Sequence, residues 1–342
     1  MKAVVFSEHG GPEVLRHVEV EEPRIKANEV LVEVRACALN HLDVWARGGL
    51  PGIKIPLPHI LGNDISGVVR EAGELVTWTK AGDEVMLQPG VSCGHCIECL
   101  RGQDNQCLEY DILGYRRDGG YAELVAAPGV NVIQKPKNLS WEEAAALPLV
   151  TVTAWHMLVT RAKVQPGEDV LIHAAGSGVG SIGIQIAKLR GARVIATAGS
   201  DEKLEKARTL GADETINYTR EDWPKEVRRL TGKRGVDVVF EHTGAETWPG
   251  SLMALAKSGR LVTCGATSGF DARTDIRQVF YRHLSLLGSF MGSKAELLDA
   301  MKFVERGAIR AVVDRTLPLA EAQRAHELME DRAQFGKLVL VP

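Results

Sequence analysis

Four of the six cysteines lie between residues 93 and 107, and their spacing is typical of metal ligands. Cys93, Cys96, Cys99 and Cys107 form the pattern CxxCxxCx7C, in which one short stretch of chain can supply four thiolates. Four thiolates complete the tetrahedral coordination of Zn²⁺ and leave no open position, which is the structural kind of zinc site. We therefore predict one structural zinc per chain. An iron–sulfur cluster and a redox-active thiol pair are the alternatives.

A glycine-rich turn, Gly178-Val179-Gly180-Ser-Ile-Gly183, has the GxGxxG spacing of dinucleotide-binding turns. An apolar segment at 170–174 precedes it and another at 182–189 follows it, as the strand and helix of that motif require. We expect Gly178 to allow the tight turn, Gly180 to let the backbone approach a pyrophosphate, and Gly183 to let the helix pack on the sheet. The helix N-terminus would offer N–H groups to the phosphates. The turn therefore predicts nicotinamide-dinucleotide binding and hydride transfer.

The residues after the second predicted strand of this domain bear on which dinucleotide is bound. NAD sites usually carry an acidic residue about 20 residues beyond the first glycine, to hold the ribose 2′-hydroxyl. Here that position is Ala198, whereas the hydroxyl of Ser200 and the amine of Lys203 can bind a 2′-phosphate. NADP(H) is therefore favoured over NAD(H), although a small shift would bring the Asp201 carboxylate to the ribose. The remaining residues expected to contact the cofactor are Val179, Thr153, Tyr218 and Gly265.

The chain changes character near Ser140, where a mainly β segment gives way to alternating strands and helices. Period-2 alternation, as at 30–35, and frequent Gly and Pro turns predict a mainly β domain over residues 1–150. Between 151 and 292, six apolar strands alternate with helices, which is typical of a doubly wound parallel sheet. We expect residues 293–342 to return to the first domain. The predicted fold class is α/β.

The overall composition is that of an ordinary globular chain. A net charge of −3 over 342 residues gives no electrostatic reason to bind nucleic acid or an anionic membrane surface. No apolar run reaches 18 residues, and the apolar N-terminal run is too short for a signal peptide. We expect no nucleic-acid partner, no membrane association and, by default, a cytoplasmic location.

The cysteine lobe and the dinucleotide turn, in this order, resemble the medium-chain dehydrogenase/reductase superfamily. Further segments that carry the resemblance are Ala38-Leu-Asn40-His-Leu-Asp43, Leu61-Gly-Asn63-Asp64-Ile-Ser-Gly67, Gly82-Asp83-Glu-Val85, Gly119-Gly-Tyr-Ala-Glu123 and Ala146-Leu-Pro148. The resemblance implies a GroES-like, mainly β catalytic domain with a structural zinc lobe at 90–110, a Rossmann domain, and an active-site cleft between them. It also implies a small-molecule substrate and a homodimer or homotetramer.

The chain departs from the zinc alcohol dehydrogenases of this superfamily where their catalytic metal is held. Those enzymes usually take ligands from a Cys, a His, and a Cys or Asp, and the matching positions here are Asn40, Asn63 and Leu149. Asp64 stands where a Glu would follow the His. Because neutral amides are poor zinc ligands and leucine cannot bind zinc, we expect no catalytic zinc. The Asn40-x-x-Asp43 pattern instead resembles zinc-independent quinone oxidoreductases, which implies NADPH-dependent reduction of a quinone or enone.

Three residues of one segment are the catalytic candidates. Without a metal, a developing oxyanion needs another partner, and the side-chain amide of Asn40 is such a donor. Asp43 is expected to orient the loop, and His41 is the base that alcohol oxidation would need. Two other functions stay open, namely an alcohol dehydrogenase acting on alcohols or aldehydes and a dinucleotide-binding protein without turnover. His41, Asp43, His59 and Asp64 are an alternative ligand set for an atypical metal site.

Overall fold

A computed structural model describes residues 1–50 and 52–342, and the chain divides into two compact units. The first unit comprises Met1–Leu149, Ser293–Leu298 and Ala311–Pro342, and the second comprises Val150–Gly292 and Asp299–Arg310. In the part of the chain that is described, no helix combines the length and the apolar character needed to cross a bilayer.

The N-terminal part of the first unit is built from short strands joined by turns. Its strands are β1 (Lys2–Phe6), β2 (Arg16–Glu19), β3 (Glu29–Ala38), β4 (His59–Ile60), β5 (Asp64–Ala72), β6 (Glu84–Leu87), β7 (Gly90–Val91), β8 (Asp111–Ile112), β9 (Leu124–Pro128) and β10 (Val132–Gln134). Its helices are α1 (His41–Gly48), α2 (Ile97–Leu100) and α3 (Trp141–Ala145), with 3-10 turns at Pro12–Val14, Asp104–Gln106 and Gly129–Asn131. Helix α3 starts with a capping box, in which the Ser140 hydroxyl accepts from the backbone N–H of Glu143 and the Glu143 carboxylate accepts from that of Ser140.

The second unit alternates strands and helices. Helix α4 (Pro148–Trp155) continues as a π-helical segment, His156–Arg161. Then follow β11 (Asp169–Ile172), α5 (Gly178–Leu189), β12 (Arg193–Ala198), α6 (Asp201–Thr209), β13 (Glu214–Asn217), α7 (Trp223–Leu230), β14 (Val236–Glu241), α8 (Trp248–Ala254), β15 (Leu255–Thr263), α9 (Ile276–Tyr281) and β16 (Ser285–Gly288). The six strands are parallel in the order β13-β12-β11-β14-β15-β16, so the predicted doubly wound sheet and α/β class are confirmed.

The tail of the chain supplies α10 (Lys294–Glu305), β17 (Val313–Pro318), a 3-10 turn at Leu319–Glu321, α11 (Ala322–Glu330) and β18 (Lys337–Val341). Strands β17 and β18 complete the main sheet of the first unit, in the order β10-β6-β5-β3-β18-β17, with β9 also paired to β3. A smaller sheet has the order β2-β1-β4. The last strand therefore lies inside the sheet, beside β3, and is almost wholly buried.

The structure differs from the predicted domain boundary in one segment. Asp299–Arg310, expected in the first domain, belongs to the second unit. The ring of Phe303 packs on Trp155 with centroids 5.5 Å apart. The amide of Gln185 bonds both backbone groups of Arg310, at 3.0 and 2.8 Å. These contacts hold the second half of α10 on the second unit.

Candidate active site

Three strand ends meet in the first unit at Asn40, Asp64 and Lys337. Asn40 lies two residues beyond the end of β3, Asp64 begins β5, and Lys337 begins β18. At the end of β3, Ala38 pairs with Asp64 on one side and with Val339 on the other. The three polar side chains therefore lie at the same end of three neighbouring strands of the main sheet, and all three are buried.

The carboxylate of Asp64 accepts hydrogen bonds from three groups. Its Oδ1 accepts from the backbone N–H of Leu149 at 2.7 Å, and its Oδ2 accepts from Asn40 Nδ2 and Lys337 Nζ, both at 2.9 Å. Lys337 Nζ also donates to Asn40 Oδ1 at 2.5 Å. Because an isolated buried charge is costly, the ammonium and the carboxylate are stable here only as a hydrogen-bonded pair.

Asp43 joins the start of α1 to the turn before β5. Its Oδ2 accepts from the backbone N–H of Asn40 at 2.7 Å, and its Oδ1 from that of Gly62 at 3.1 Å. Gly62 has a φ of 104°, and a Cβ there would lie 2.6 Å from the Tyr121 ring and 2.7 Å from Cys37 Sγ, so only glycine fits. Burial raises the pKa of Asp43 to about 7, against the N–H bonds from Asn40 and Gly62, which lower it.

A second layer of buried polar groups lies behind Asp43. The Tyr121 hydroxyl is 3.2 Å from His326 Nε2, and His326 Nδ1 is 2.9 Å from Arg47 Nη1. Because a guanidinium can only donate, His326 Nδ1 accepts, and its Nε2 carries the proton that is donated to Tyr121. Burial and the neighbouring Arg47 charge lower the pKa of His326 to about 3, so this imidazole is neutral near pH 7.

The histidines and Asn63 have separate surroundings. His41 begins α1, and its ring meets that of Trp45 edge-on, with centroids 5.1 Å apart. Asn63 Nδ2 donates to the carbonyl of Leu113 at 2.6 Å. His59 Nε2 lies 3.3 Å from a backbone carbonyl, and burial lowers the pKa of its imidazole.

The alternative metal set of the first unit is not assembled. Among residues 1–50 and 52–342, one group of three or more His, Cys, Asp or Glu side chains is arranged to hold a metal ion, and it consists of the four cysteines. His41, Asp43, His59 and Asp64 do not converge in this way. Asp43 accepts from two backbone N–H groups, and Asp64 accepts from one backbone N–H and from the side chains of Asn40 and Lys337.

The four cysteines of the lobe form a compact cluster. Their sulfurs lie within 4.8 Å of one another, with Cys99 Sγ 3.9 Å from Cys93 Sγ and 3.5 Å from Cys96 Sγ. A Zn–S bond of about 2.3 Å places tetrahedral sulfurs about 3.8 Å apart, whereas a disulfide needs about 2 Å. The donor set therefore fits a tetrahedral, closed zinc site.

The glycine-rich turn forms the start of helix α5 in the second unit. The helix begins at Gly178, four residues before the apolar segment 182–189 that predicts it, because Ser177 caps it. The Ser177 hydroxyl accepts from the N–H of Gly180 at 2.9 Å. Helix geometry leaves the N–H groups of Gly178 and Val179 without partners inside the helix, so they are available to an anion.

The left-handed position of the turn is not a glycine, and two of the glycines are in close contact with neighbouring groups. The left-handed residue of the turn is Ala174, with φ of 44°, rather than Gly178. A Cβ on Gly180 would lie 2.4 Å from the Ala174 carbonyl oxygen, so the turn itself requires this glycine. At Gly183 a Cβ would lie 3.2 Å from the Phe240 ring, the close helix–sheet packing expected of it.

The end of β12 carries the residues expected to select the dinucleotide. Ser200 caps α6, and its hydroxyl accepts from the backbone N–H of Lys203 at 3.3 Å. The Asp201 carboxylate accepts from Asn217 Nδ2 at 3.0 Å and Arg220 Nη2 at 2.5 Å. These bonds lower the pKa of Asp201, and the Arg220 guanidinium balances its charge.

The other expected cofactor residues of the second unit also have defined surroundings. Tyr218 is 44% exposed, and its hydroxyl lies 2.8 Å from where a Cβ on Gly199 would be, so glycine makes room for it. The hydroxyl of Thr153 is buried and has no hydrogen-bond partner in the described structure, so a ligand could satisfy it. Gly265 follows β15, and a Cβ on Gly265 would lie 3.1 Å from the His242 carbonyl oxygen.

Lys337 and Arg220 are the residues of these clusters that the sequence does not single out. Lys337 stands directly before the apolar run Leu338-Val-Leu-Val. A charged residue at the start of a buried strand indicates that its side chain is paired with an opposite charge or a hydrogen-bond acceptor. Arg220 is three residues past β13. Its approach to Asp201 depends on the parallel pairing of β12 with β13, which no local pattern reveals.

Comparisons with known proteins cover the whole chain. Residues 26–137 match the family model "Alcohol dehydrogenase GroES-like domain", and residues 178–306 match "Zinc-binding dehydrogenase". The chain is 35% identical to an alcohol dehydrogenase of Geobacillus stearothermophilus and 31% identical to quinone oxidoreductase 1 of Escherichia coli, each over 99% of both chains. It is similar to a solved structure of an NAD-dependent alcohol dehydrogenase, with a TM-score of 0.97 and 54% identity over 100% of both chains.

The raised pKa of Asp43 predicts a specific pH dependence of stability. Between about pH 4 and about pH 7 the folded chain keeps a proton on Asp43 that the unfolded chain has lost, so this residue's contribution to stability falls as pH rises. Asp43→Asn cannot titrate. We expect the free energy of unfolding of the wild type, relative to this variant, to decline by at most about 4 kcal/mol across that window in urea titrations.

The neighbouring titratable or charged groups are Cys37, Asp64, Lys337 and Tyr121. Asp83→Asn is the matched control, because hydrogen bonds from Lys80 and Thr79 lower the pKa of Asp83, whose side chain is only partly buried. Its difference from the wild type should not decline between pH 5 and pH 7. Parallel pH profiles for Asp43→Asn and wild type would show that Asp43 is ionised throughout.

Proposed function

The chain belongs to the medium-chain dehydrogenase/reductase superfamily, and from that premise we propose that it reduces a quinone or enone with NADPH, without a catalytic zinc. A small-molecule oxidoreductase activity is common to the relatives named above. The proposal concerns the acceptor, the cofactor and the groups that stabilise charge during the reaction.

The arrangement of Asn40, Asp64 and Lys337 is the observation that carries this proposal. Two of the three positions that would supply zinc ligands in the alcohol dehydrogenase branch are occupied by Asn40 and Leu149, whose amide and backbone N–H donate to Asp64. A divalent cation at this carboxylate would face the Lys337 ammonium, which lies 2.9 Å from Asp64 Oδ2. The donor set therefore does not fit a catalytic metal, and the positive charge here belongs to a side chain.

A conjugated acceptor suits such a site. When bound, the nicotinamide cofactor would supply hydride to an electrophilic carbon of the acceptor. As the new C–H bond formed, the C=C π pair would shift toward the carbonyl carbon and the C=O π pair would move onto oxygen, giving a negative charge that conjugation spreads. Asn40 Nδ2 would donate a hydrogen bond to that oxygen, and a proton from solvent would complete the reduction. Because the charge is spread, a strong Lewis acid is less necessary than in the reduction of a simple aldehyde.

The preference for NADP(H) is supported by charges at the end of β12. Position 198 is alanine, and the nearby acid, Asp201, is held by Arg220. We propose that Lys203 and Arg220 supply positive charge to a 2′-phosphate, in which case the Arg220 guanidinium would divide its hydrogen bonds between Asp201 and the phosphate. The exposed ring of Tyr218 and the N–H groups of Gly178 and Val179 would hold the adenosine and the pyrophosphate.

A second candidate function is NAD-dependent alcohol oxidation. It is favoured by the 54% identity to an NAD-dependent alcohol dehydrogenase. In that case His41 would act as the base, and the carbonyl oxygen would still depend on Asn40 in place of a metal. The four cysteines would hold the structural zinc under either function.

Turnover with a substrate panel tests the proposal directly. Purified protein is mixed with NADPH or NADH and a panel of quinones, enones and aldehydes, or with NAD⁺ or NADP⁺ and alcohols, and the nicotinamide absorbance is followed. We expect NADPH oxidation with a quinone or enone, and one zinc per chain by elemental analysis. Turnover confined to alcohols and aldehydes, with a second zinc that is required, would establish the alcohol dehydrogenase function. Cofactor binding without turnover would favour a non-catalytic role.

The cofactor preference is tested by removing the two cations. Lys203→Ala and Arg220→Ala should each raise the dissociation constant of NADPH about tenfold, since a charge-assisted hydrogen bond to phosphate contributes about 1.5–3 kcal/mol. The affinity for NADH should change little. Lys206→Ala, on the same helix and paired with Glu202, is the matched control. Equal losses for NADPH and NADH would count against the 2′-phosphate site.

We further propose that the chain is a homodimer or homotetramer. Strand β16 is the edge of the six-stranded sheet, and apolar side chains on and near it are exposed, among them Phe280, Tyr281 and Leu286. An open strand edge with exposed apolar groups is a surface that a second copy can cover. Light scattering should give a multiple of 37.2 kDa, and a monomer mass would refute this proposal.

A further inference from the structure

We propose that Lys337 is a positioning residue that fixes the direction of the Asn40 amide, so that an N–H of Asn40, and not its oxygen, is presented to the substrate oxygen. This inference rests on the proposed function, in which Asn40 stabilises a developing oxyanion. It adds a residue that lies 297 positions away along the chain. Lys337 itself does not touch the substrate.

The strand register brings the two residues together. Val339 of β18 pairs with Ala38 and Leu340 with Cys37, and this antiparallel register, continued toward the start of β18, places Lys337 opposite Asn40. The start of β18 is set by Gly336, whose φ is 96° and where a Cβ would lie 2.2 Å from the Val312 carbonyl oxygen. The main chain therefore delivers the lysine to this position.

The chemistry of the two partners leaves the amide one orientation. An ammonium can only donate, so the atom of Asn40 that faces Lys337 at 2.5 Å must be the oxygen. A carboxylate can only accept, so the atom that faces Asp64 at 2.9 Å must be the nitrogen. Lys337 bonds the amide oxygen of Asn40, and Asp64 bonds one of its two side-chain N–H groups. We infer that the second side-chain N–H is the group that donates to a substrate oxygen. A flipped amide would place two donors together and two acceptors together.

The same contacts strengthen Asn40 as a donor. Lys337 is 3% exposed, so water screens its charge little. A buried cation on the amide oxygen polarises the amide and makes its N–H groups more acidic. The ammonium therefore acts on the substrate through the amide, and its contribution disappears if the amide is removed.

A double-mutant cycle tests this dependence. The variants are Asn40→Ala, Lys337→Gln and the double variant, and the measurement is kcat and KM for reduction of the best acceptor in the panel. Loss of an oxyanion donor costs about 10²- to 10³-fold in kcat, which we expect for Asn40→Ala. Lys337→Gln should lower kcat about 10- to 100-fold with little change in the KM for NADPH. In the Asn40→Ala background, Lys337→Gln should have less than about a twofold further effect.

Lys135→Gln is the matched control, because Lys135 is also a largely buried lysine of the first unit, paired with Glu84 and lying over the Trp141 ring. It should lower the thermal midpoint without changing kcat. If Lys337→Gln alone does not fold, because Asp64 is left as an unpaired buried charge, Lys337→Gln with Asp64→Asn removes both charges together. That pair is then compared with and without Asn40→Ala.

A spectroscopic measurement makes the result independent of turnover. With asparagine-selective ¹⁵N labelling, the side-chain NH₂ signals of Asn40 are identified by their loss in Asn40→Asp. In the wild type, exchange of these protons with water should be slow, and Lys337→Gln should accelerate it at least tenfold while the other asparagine signals stay in place.

The outcomes separate the two proposals. If Asn40→Ala leaves kcat unchanged while the exchange result holds, Lys337 orients the amide but the proposed role of Asn40 in catalysis is wrong. If Asn40→Ala lowers kcat but Lys337→Gln is fully additive with it, or leaves the NH₂ signals unaltered, the positioning role of Lys337 is wrong and the proposed function stands.

Discussion

The carboxylate of Asp64 is the point on which the geometry of the first unit's candidate site depends. It is fully buried, and a buried carboxylate is tolerated only where donors surround it. Those donors come from the loop after β3, the start of β18 and the backbone at Leu149, which are distant in sequence. Satisfying one charge therefore holds three segments in fixed positions, and the direction of the Asn40 amide follows from the same requirement.

Asp43 imposes a similar constraint on the neighbouring turn. Its two oxygens accept from the backbone at Asn40 and Gly62, so helix α1 and the turn before β5 are held to each other. Behind it, the neutral His326 links Tyr121 to Arg47 without a charge of its own. The candidate donor Asn40 is thus bonded at its backbone by the carboxyl group of Asp43 and at its side chain by the carboxylate of Asp64. Such double support is what a preorganised oxyanion partner needs.

Features that depend on local chain geometry could be predicted from the sequence. The strands of the second unit, the capping box at Ser140 and the grouping of the four cysteines each arise from patterns within about 15 residues. The apolar pattern places the start of α5 too late, because the capping role of Ser177 lies outside the glycine pattern itself. Asp299–Arg310 was misplaced because its position depends on long-range contacts of Phe303 and Gln185. Lys337 and Arg220 were missed for the same reason, since strand register places each beside its partner.

Under the proposed function, the positive charge that a catalytic metal would supply comes instead from a lysine side chain. An open metal position binds a substrate oxygen directly and can stabilise a full negative charge on it. The ammonium of Lys337 is already engaged by Asn40 and Asp64, so under the proposed function it would act on a substrate oxygen only through a neutral N–H of Asn40. A neutral N–H donor can stabilise a partial negative charge on a substrate oxygen, but it is less able to stabilise the full, localised charge of an alkoxide. Under the proposed function, the site is therefore suited to acceptors that carry much of the charge themselves, which is the physical reason to test quinones and enones first.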